Sequence, residues 1–245
     1  MASIDSYKRY ISTHYQYVTN DRGYINRYYL WKSYFEKILP ENKNIAILEV
    51  GSGMGHNIFA LKKLGYTNIS GIDYSPECVA FCNKKGYQTA LIDNKKEQQF
   101  YASHARSYDL IVLYDVLEHY VPDDALKLLR NIKNALTENG IILISTPNAD
   151  HPLCSSLRYA DITHKFIYTE GSLSQLLRNG GLTRHRFFQV NSYTTYDDNM
   201  FYKIIKNTIL RLVAFVGEFF WKIIGLTQGI IFSDCKPTLI AVIQK

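Results

Sequence analysis

Three glycines, Gly51, Gly53 and Gly55, follow an apolar run that ends at Val50, and Asp73 closes a second apolar run about 20 residues further on. Residues of these types at this spacing describe a pocket for a nucleoside-bearing cofactor. The glycines let the main chain turn tightly against a ligand, and a carboxylate at the tip of the next strand can accept hydrogen bonds from ribose hydroxyls. A dinucleotide loop requires G-x-G-x-x-G, and His56 stands where the third glycine would fall, which disfavours NAD. No Gly-Lys-Ser/Thr follows, which excludes a P-loop. A second group of chemically able residues lies further along: Asp115, Glu118 and His119, then Asp150, His151, Asp161 and His164. Oxygen and imidazole donors of this kind suit a divalent ion. A histidine titrates where it can take a proton from a weak nucleophile at neutral pH.

These residues need a scaffold that brings strand tips together. Ile45 to Val50 predicts a buried parallel strand, followed by a helix over Met54 to Leu64 and a strand over Ile69 to Ile72. Ser75-Pro76 is an N-cap followed by a first-turn proline and starts the next helix. A third strand is expected around Gln88 to Ile92, leading to Asp93, and a fourth, nearly all apolar and so central, over Asp109 to Tyr114. A helix over Asp123 to Leu136 should close at Asn139-Gly140, with a fifth strand over Ile141 to Ser145. Asn148 to Tyr168 reads as a loop, and Thr169 caps a helix ended by Gly180-Gly181. Two further strands, Leu182 to Val190 and Thr238 to Ile243, flank a long insertion over 191–236. Upstream, Tyr24 to Leu39 has helical spacing and ends before Pro40.

With Glu49 ahead of the first glycine, Leu48 to Gly55 resembles motif I of the class I S-adenosylmethionine (SAM) methyltransferases, and Asp73 falls where that family has its ribose-binding acid. The resemblance implies an α/β Rossmann-like seven-stranded sheet whose last two strands form an antiparallel hairpin, with the last strand antiparallel. It implies N-terminal helices at 1–44, a core at 45–190, a helical insertion at 191–236 that would cover the substrate, and a last strand at 237–245, all in one domain. It also implies a cofactor set in which Glu49, Gly51 and Gly53 shape the loop, Asp73 and Tyr74 meet the ribose side, Asp93 meets the adenine amino group, and Tyr114 lines the site. Arg27 resembles the arginine that binds the cofactor carboxylate in the ubiquinone-biosynthesis O-methyltransferases, a role suited to a guanidinium fork. Tyr114 to His119 is similar to the strand-end motif of those enzymes, Glu-x-x-Glu-His, but begins with Asp115, so a metal held by Asp115, Glu118 and His119 is not favoured. Arg158 to His164 resembles a segment of methyltransferases encoded with polysaccharide-assembly genes. That points to O-methylation of a sugar or glycan, with His164 as base, oriented by Asp161, and His119 as second choice. A membrane quinone precursor is the rival acceptor, and a noncatalytic SAM-fold scaffold is the rival of another class.

Composition bounds the rest. The 245 residues, 47% hydrophobic, suffice for one sizeable core. Cys78, Cys82, Cys154 and Cys235 are irregularly placed, as expected of reduced thiols. Cys78 and Cys82, one turn apart, read as small buried residues in preference to metal ligands. His14, His104 and His185 attract no role. The net charge of +6 is modest. Base methylation is disfavoured, since neither Asn/Asp-Pro-Pro-Tyr nor Pro-Cys occurs, and no nucleic-acid partner is expected. The start lacks the order of a secretory signal, so a cytoplasmic setting is expected. Within 200–232, Lys203, Lys206, Asn207, Arg211, Glu218 and Lys222 fall on one helical stripe of an otherwise apolar segment. It is too interrupted to cross a bilayer. Three fates suit it: packing on the sheet, pairing with a second subunit in a homodimer, or peripheral contact with the inner face of the membrane.

Overall fold

The computed structural model describes residues 7–13, 21–93, 96–190, 200–227 and 236–245. His14, Cys235 and the two ends of the insertion lie outside these residues. Seven strands form a single sheet: β1 (Ile47–Val50), β2 (Ile69–Asp73), β3 (Thr89–Leu91), β4 (Tyr108–Tyr114), β5 (Leu136–Pro147), β6 (Arg184–Val190) and β7 (Thr238–Gln244), in the order β3-β2-β1-β4-β5-β7-β6. The first five pair in parallel, and β7 lies antiparallel between β5 and β6. The chain order reverses between β1 and β4, the switch point outside which ligands bind in open α/β sheets.

The helices are α1 (Tyr10–Thr13), α2 (Asp21–Leu30), α3 (His56–Lys63), α4 (Pro76–Lys84), α5 (Glu97–Ser103), α6 (Pro122–Ala135), α7 (Cys154–Tyr159), α8 (Glu170–Asn179) and α9 (Met200–Thr227). The strands β1 and β4 are buried on both faces, which is why their sequences carry unbroken apolar runs. Ser75 caps α4 by accepting from Cys78 N, and Thr169 caps α8 in a reciprocal box with Ser172. Cys78 and Cys82 are fully buried.

The structure corrects three expectations. The helix predicted to close at Asn139-Gly140 ends at Ala135. Leu136 is already extended and pairs with Tyr108, and a register shift between Tyr108 and Leu110 absorbs the polar residues before Ile141. Gly140 therefore lies within β5 and outside the left-handed region. The expected helix Tyr24–Leu39 is α2 followed by a π-helical turn, Trp31–Phe35, which directs both of its aromatic end residues into the core. The loop Asn148–Tyr168 contains α7.

Candidate active site

The glycine loop after β1 is held from four sides. Gly51 and Ser52 donate backbone N–H groups to the Ile72 carbonyl at the tip of β2. Tyr24 OH donates to Met54 O (2.6 Å), Cys82 Sγ donates to Gly53 O (3.3 Å), and Gly53 N donates to Asp73 Oδ2 (2.7 Å). Gly51, Gly53 and Gly55 all have φ between 51° and 76°, a region open to glycine and costly to other L-residues. A Cβ on Gly51 would stand 2.7 Å from Val116 Cγ2, so only glycine fits between that side chain and the turn.

Behind the loop, Glu49 is fully buried and does not line the cleft. Its Oε1 accepts from Asn57 Nδ2 (2.6 Å), whose Oδ1 accepts from Trp31 Nε1 (2.9 Å), so a buried relay ties the N-terminal segment to β1 and α3. Burial raises the Glu49 carboxyl to about 8, against the opposing pull of the Asn57 hydrogen bond and the Arg27 charge.

The cleft in front of the loop encloses about 890 Å³, counting its open mouth, within the range of cofactor sites. Gly51, Gly53, Asp73, Tyr74, Tyr114 and Arg27 all line it, joined by Asp115 and His119. Asp73 Oδ1 accepts from Ser75 N (2.7 Å) while Oδ2 accepts from Gly53 N (2.7 Å), and the carboxylate keeps acceptor capacity toward the cleft. Burial raises the Asp73 pKa, opposed by the N–H groups of Ser75, Gly53 and Tyr74. The Arg27 guanidinium lies 3.9 Å over the Tyr114 ring. His56 stacks on Tyr24 at 4.2 Å, and burial, then the Arg27 and Lys85 charges, lower its pKa to about 4, so it stays neutral. Asp93 is absent from the lining: its carboxylate instead accepts from Lys96 N at the start of α5. Ile92, Glu97 and Tyr120 wall that end, with Tyr120 OH donating to Tyr74 OH (3.1 Å) and lying 3.3 Å from Glu97 Oε1.

A second hollow adjoins the first and shares Tyr10, Asp115 and His119 with it; Glu118, Asp161, His164, Pro237 and Thr238 are among its other walls. Asp115 sits at φ 57°, where its side chain is fixed by Ser145 Oγ (3.0 Å). Its pKa is raised by burial, against Arg27 and Ser145. Glu118 accepts from Thr146 Oγ1 (3.1 Å) at Oε2, while the buried Oε1 has no hydrogen-bond partner among the described residues. Burial first and the Asp115 charge second push Glu118 well above the usual carboxylate range.

The structure corrects the expected pairing of the histidines. Asp161 was expected to orient His164, but His164 Nδ1 lies 3.0 Å from Leu157 O. Asp161 Oδ1 instead accepts from Thr163 Oγ1 (2.7 Å) and Thr163 N (2.8 Å), and Oδ2 accepts from Tyr10 OH (2.6 Å). Burial alone would raise Asp161, but the Thr163 and Tyr10 hydrogen bonds and the His119 charge hold it at about 2. Thr163 Oγ1 is also 2.8 Å from His119 Nδ1. The Thr163 hydroxyl gives its one hydrogen to an ionised carboxylate, so Nδ1 of His119 is the donor to Thr163, and in the neutral ring Nε2 carries the lone pair. The metal candidates are also regrouped. Glu118 and His119 offer ligand atoms within 4.8 Å together with His164, and Asp115 is outside that set.

Sequence reasoning missed Tyr7, Tyr10, Glu97 and Thr163. The tyrosine-rich start was a usable signal, because Tyr7 and Tyr10 both line the cleft. Thr163 carried none beyond its place between Asp161 and His164.

Residues 24–185 match the family described as a methyltransferase domain. The chain belongs to that family. The matched domain is one of methyl transfer, and the glycine loop and the Asp73 carboxylate that line the cleft suit a nucleoside-bearing methyl donor. Over 105 residues it is 32% identical to the ribosomal protein L11 methyltransferase of Lactobacillus johnsonii, a match covering 42% of this chain and 31% of that relative. Two solved structures share the fold. A SAM-dependent methyltransferase from Archaeoglobus fulgidus has a TM-score of 0.62 at 18% identity, covering 92% of this chain and 95% of the other. The 1,6-didemethyltoxoflavin-N1-methyltransferase of Burkholderia thailandensis, with S-adenosylhomocysteine bound, has a TM-score of 0.59 at 14% identity, covering 100% and 88%.

Proposed function

We propose that this methyltransferase acts on a hydroxyl of a neutral, hydroxyl-rich acceptor such as a sugar or glycan, with His119 as the base. The observation that carries this reading is the Asp161–Thr163–His119 relay, which ends on His119 in the wall shared by the cleft and the second hollow. A base must reach both the cofactor's reactive end and the acceptor, and His119, unlike His164, lines both cavities. Bound SAM supplies a methyl group on a positively charged sulfonium. Asp73 accepts from its ribose hydroxyls, the backbone of Gly51 and Gly53 faces its methionine part, and Arg27 pairs with its carboxylate. Ile92, Tyr74, Glu97 and Tyr120 frame the adenine, taking the place expected of Asp93.

His119 Nε2 takes the proton from the acceptor hydroxyl, and the Asp161 charge, passed through Thr163, supports the imidazolium that results. Asp115, Glu118 and Asp161 give the hollow acceptors for sugar hydroxyls, and the ionised Asp161 repels an anionic acceptor. Release of S-adenosylhomocysteine, measured across neutral glycosides, their phosphorylated counterparts, a catechol and an amine, tests the reading. Turnover is expected with neutral glycosides, falling roughly 10²-fold or more in His119→Gln. Preference for the catechol or the amine would overturn it.

A further inference from the structure

Among the described residues, the insertion between β6 and β7 is the helix α9, whose apolar face turns away from the protein. Ile209, Leu212, Val213, Val216, Phe219 and Phe220 are 43 to 62% exposed and recur at the three- and four-residue spacing of one helix face. Half-buried Trp221 and Glu218 and buried Gly225 lie on the other side, and Lys222 Nζ donates to Glu218 Oε1 (2.9 Å) there. A soluble helix has the opposite arrangement, with its apolar stripe against the core. A patch this large on one surface calls for a partner.

We propose that the outer face of α9 seats on an anionic membrane surface. Charge selects this occupant: outside the Glu218–Lys222 pair the helix sequence carries Lys203, Lys206 and Arg211 and no acid, and the whole chain is +6. Width also separates it from a second copy in a coiled coil. The seam of a coiled coil uses two positions in seven, whereas 209/216, 212/219 and 213/220 repeat three exposed positions in each seven. The helix lies on the surface and does not cross it, since no helix among the described residues is long and apolar enough to span a membrane. At about 42 Å long it would bury a row of rings and branched chains at the headgroup boundary.

The placement gives such docking a use. Val190 at the end of β6 and Pro147 at the end of β5 both pair with Thr238 at the start of β7, so the insertion leaves and rejoins the sheet at its carboxyl edge. The rejoining residues Pro237 and Thr238 line the acceptor hollow. The insertion that carries α9 therefore starts and ends at the sheet edge that bears the acceptor hollow. The docking itself does not depend on which acceptor is methylated.

Vesicle flotation tests it, comparing phosphatidylcholine alone with equal parts phosphatidylcholine and phosphatidylglycerol. The full chain is expected to float with the anionic vesicles, less so at high salt, because surface attraction is screened. The double variant Phe219→Glu, Phe220→Glu should lose about tenfold in partitioning while binding S-adenosylhomocysteine as the wild type does. Wild type that stays in solution with anionic vesicles overturns the proposal. So does a double variant that floats equally, or a wild-type dimer that the same substitutions dissociate, which would give the face to a second copy.

Discussion

Replacing Glu49 by Gln should change how stability depends on pH more than it changes stability itself. The carboxyl is fully buried and raised to about 8, whereas an exposed glutamate has 4.5. The folded protein therefore keeps a proton at Glu49 that the unfolded chain releases. Its stabilising effect is complete below about pH 4.5 and is lost progressively as pH rises to about 8. Between about pH 5 and pH 8 the loss amounts to roughly three pKa units, or about 4 kcal/mol as an upper figure. Gln keeps an oxygen for Asn57 Nδ2 and has no proton to lose. Urea denaturation of both proteins across this range isolates the contribution, because Asp73, Asp115 and Glu118, all raised by burial, are common to both. The wild type should lose about 2 to 4 kcal/mol more than Glu49→Gln between the two pH values. Parallel curves would mean that Glu49 is ionised in the fold with Arg27 as its counter-ion, and the reasoning would fail.

Asp73→Ala should weaken S-adenosylhomocysteine at least tenfold by calorimetry, about 1.4 kcal/mol; unchanged binding would remove the ribose assignment. Thr163→Val should leave that affinity intact but slow transfer by about 10- to 100-fold, with Thr163→Ser restoring it and nitrogen shifts of His119 reporting the changed tautomer balance. A fully active valine variant would show that the relay is idle. His164→Ala should slow transfer far less than His119→Gln; the reverse order would return the role of base to His164. Activity should survive chelation, and its loss on treatment with EDTA with recovery on adding a divalent ion would assign a metal to Glu118, His119 and His164.

What was legible in the sequence followed from short-range rules. Strands buried on both faces show as apolar runs, caps show as Ser75-Pro76 and Thr169, and positive φ shows as glycine at 51, 53 and 55. Those rules recovered the sheet and one wall of the cleft. The end of α6 was misread because Gly140 looks like a stop signal, while the deciding event is a pairing of Leu136 with Tyr108, 28 residues away. The partner of Asp161 was misread for a similar reason. Asp161 and His164 are one turn apart in sequence, but the carboxylate faces Thr163 and, through it, a histidine 44 residues away. Asp93 sits at the expected strand end yet satisfies the start of α5, and Glu97 one turn later reaches the cleft. Contacts of this range are set by packing and leave no local pattern.

The central claim is that the Gly51–Gly55 loop and Asp73 together hold the cofactor. A crystal structure of the protein with S-adenosylhomocysteine measures this most directly. The account predicts density in the cleft with the ribose hydroxyls on Asp73 and the methionine part against Gly51 and Gly53. Density elsewhere, or ribose hydroxyls bonded to some other residue, would contradict it.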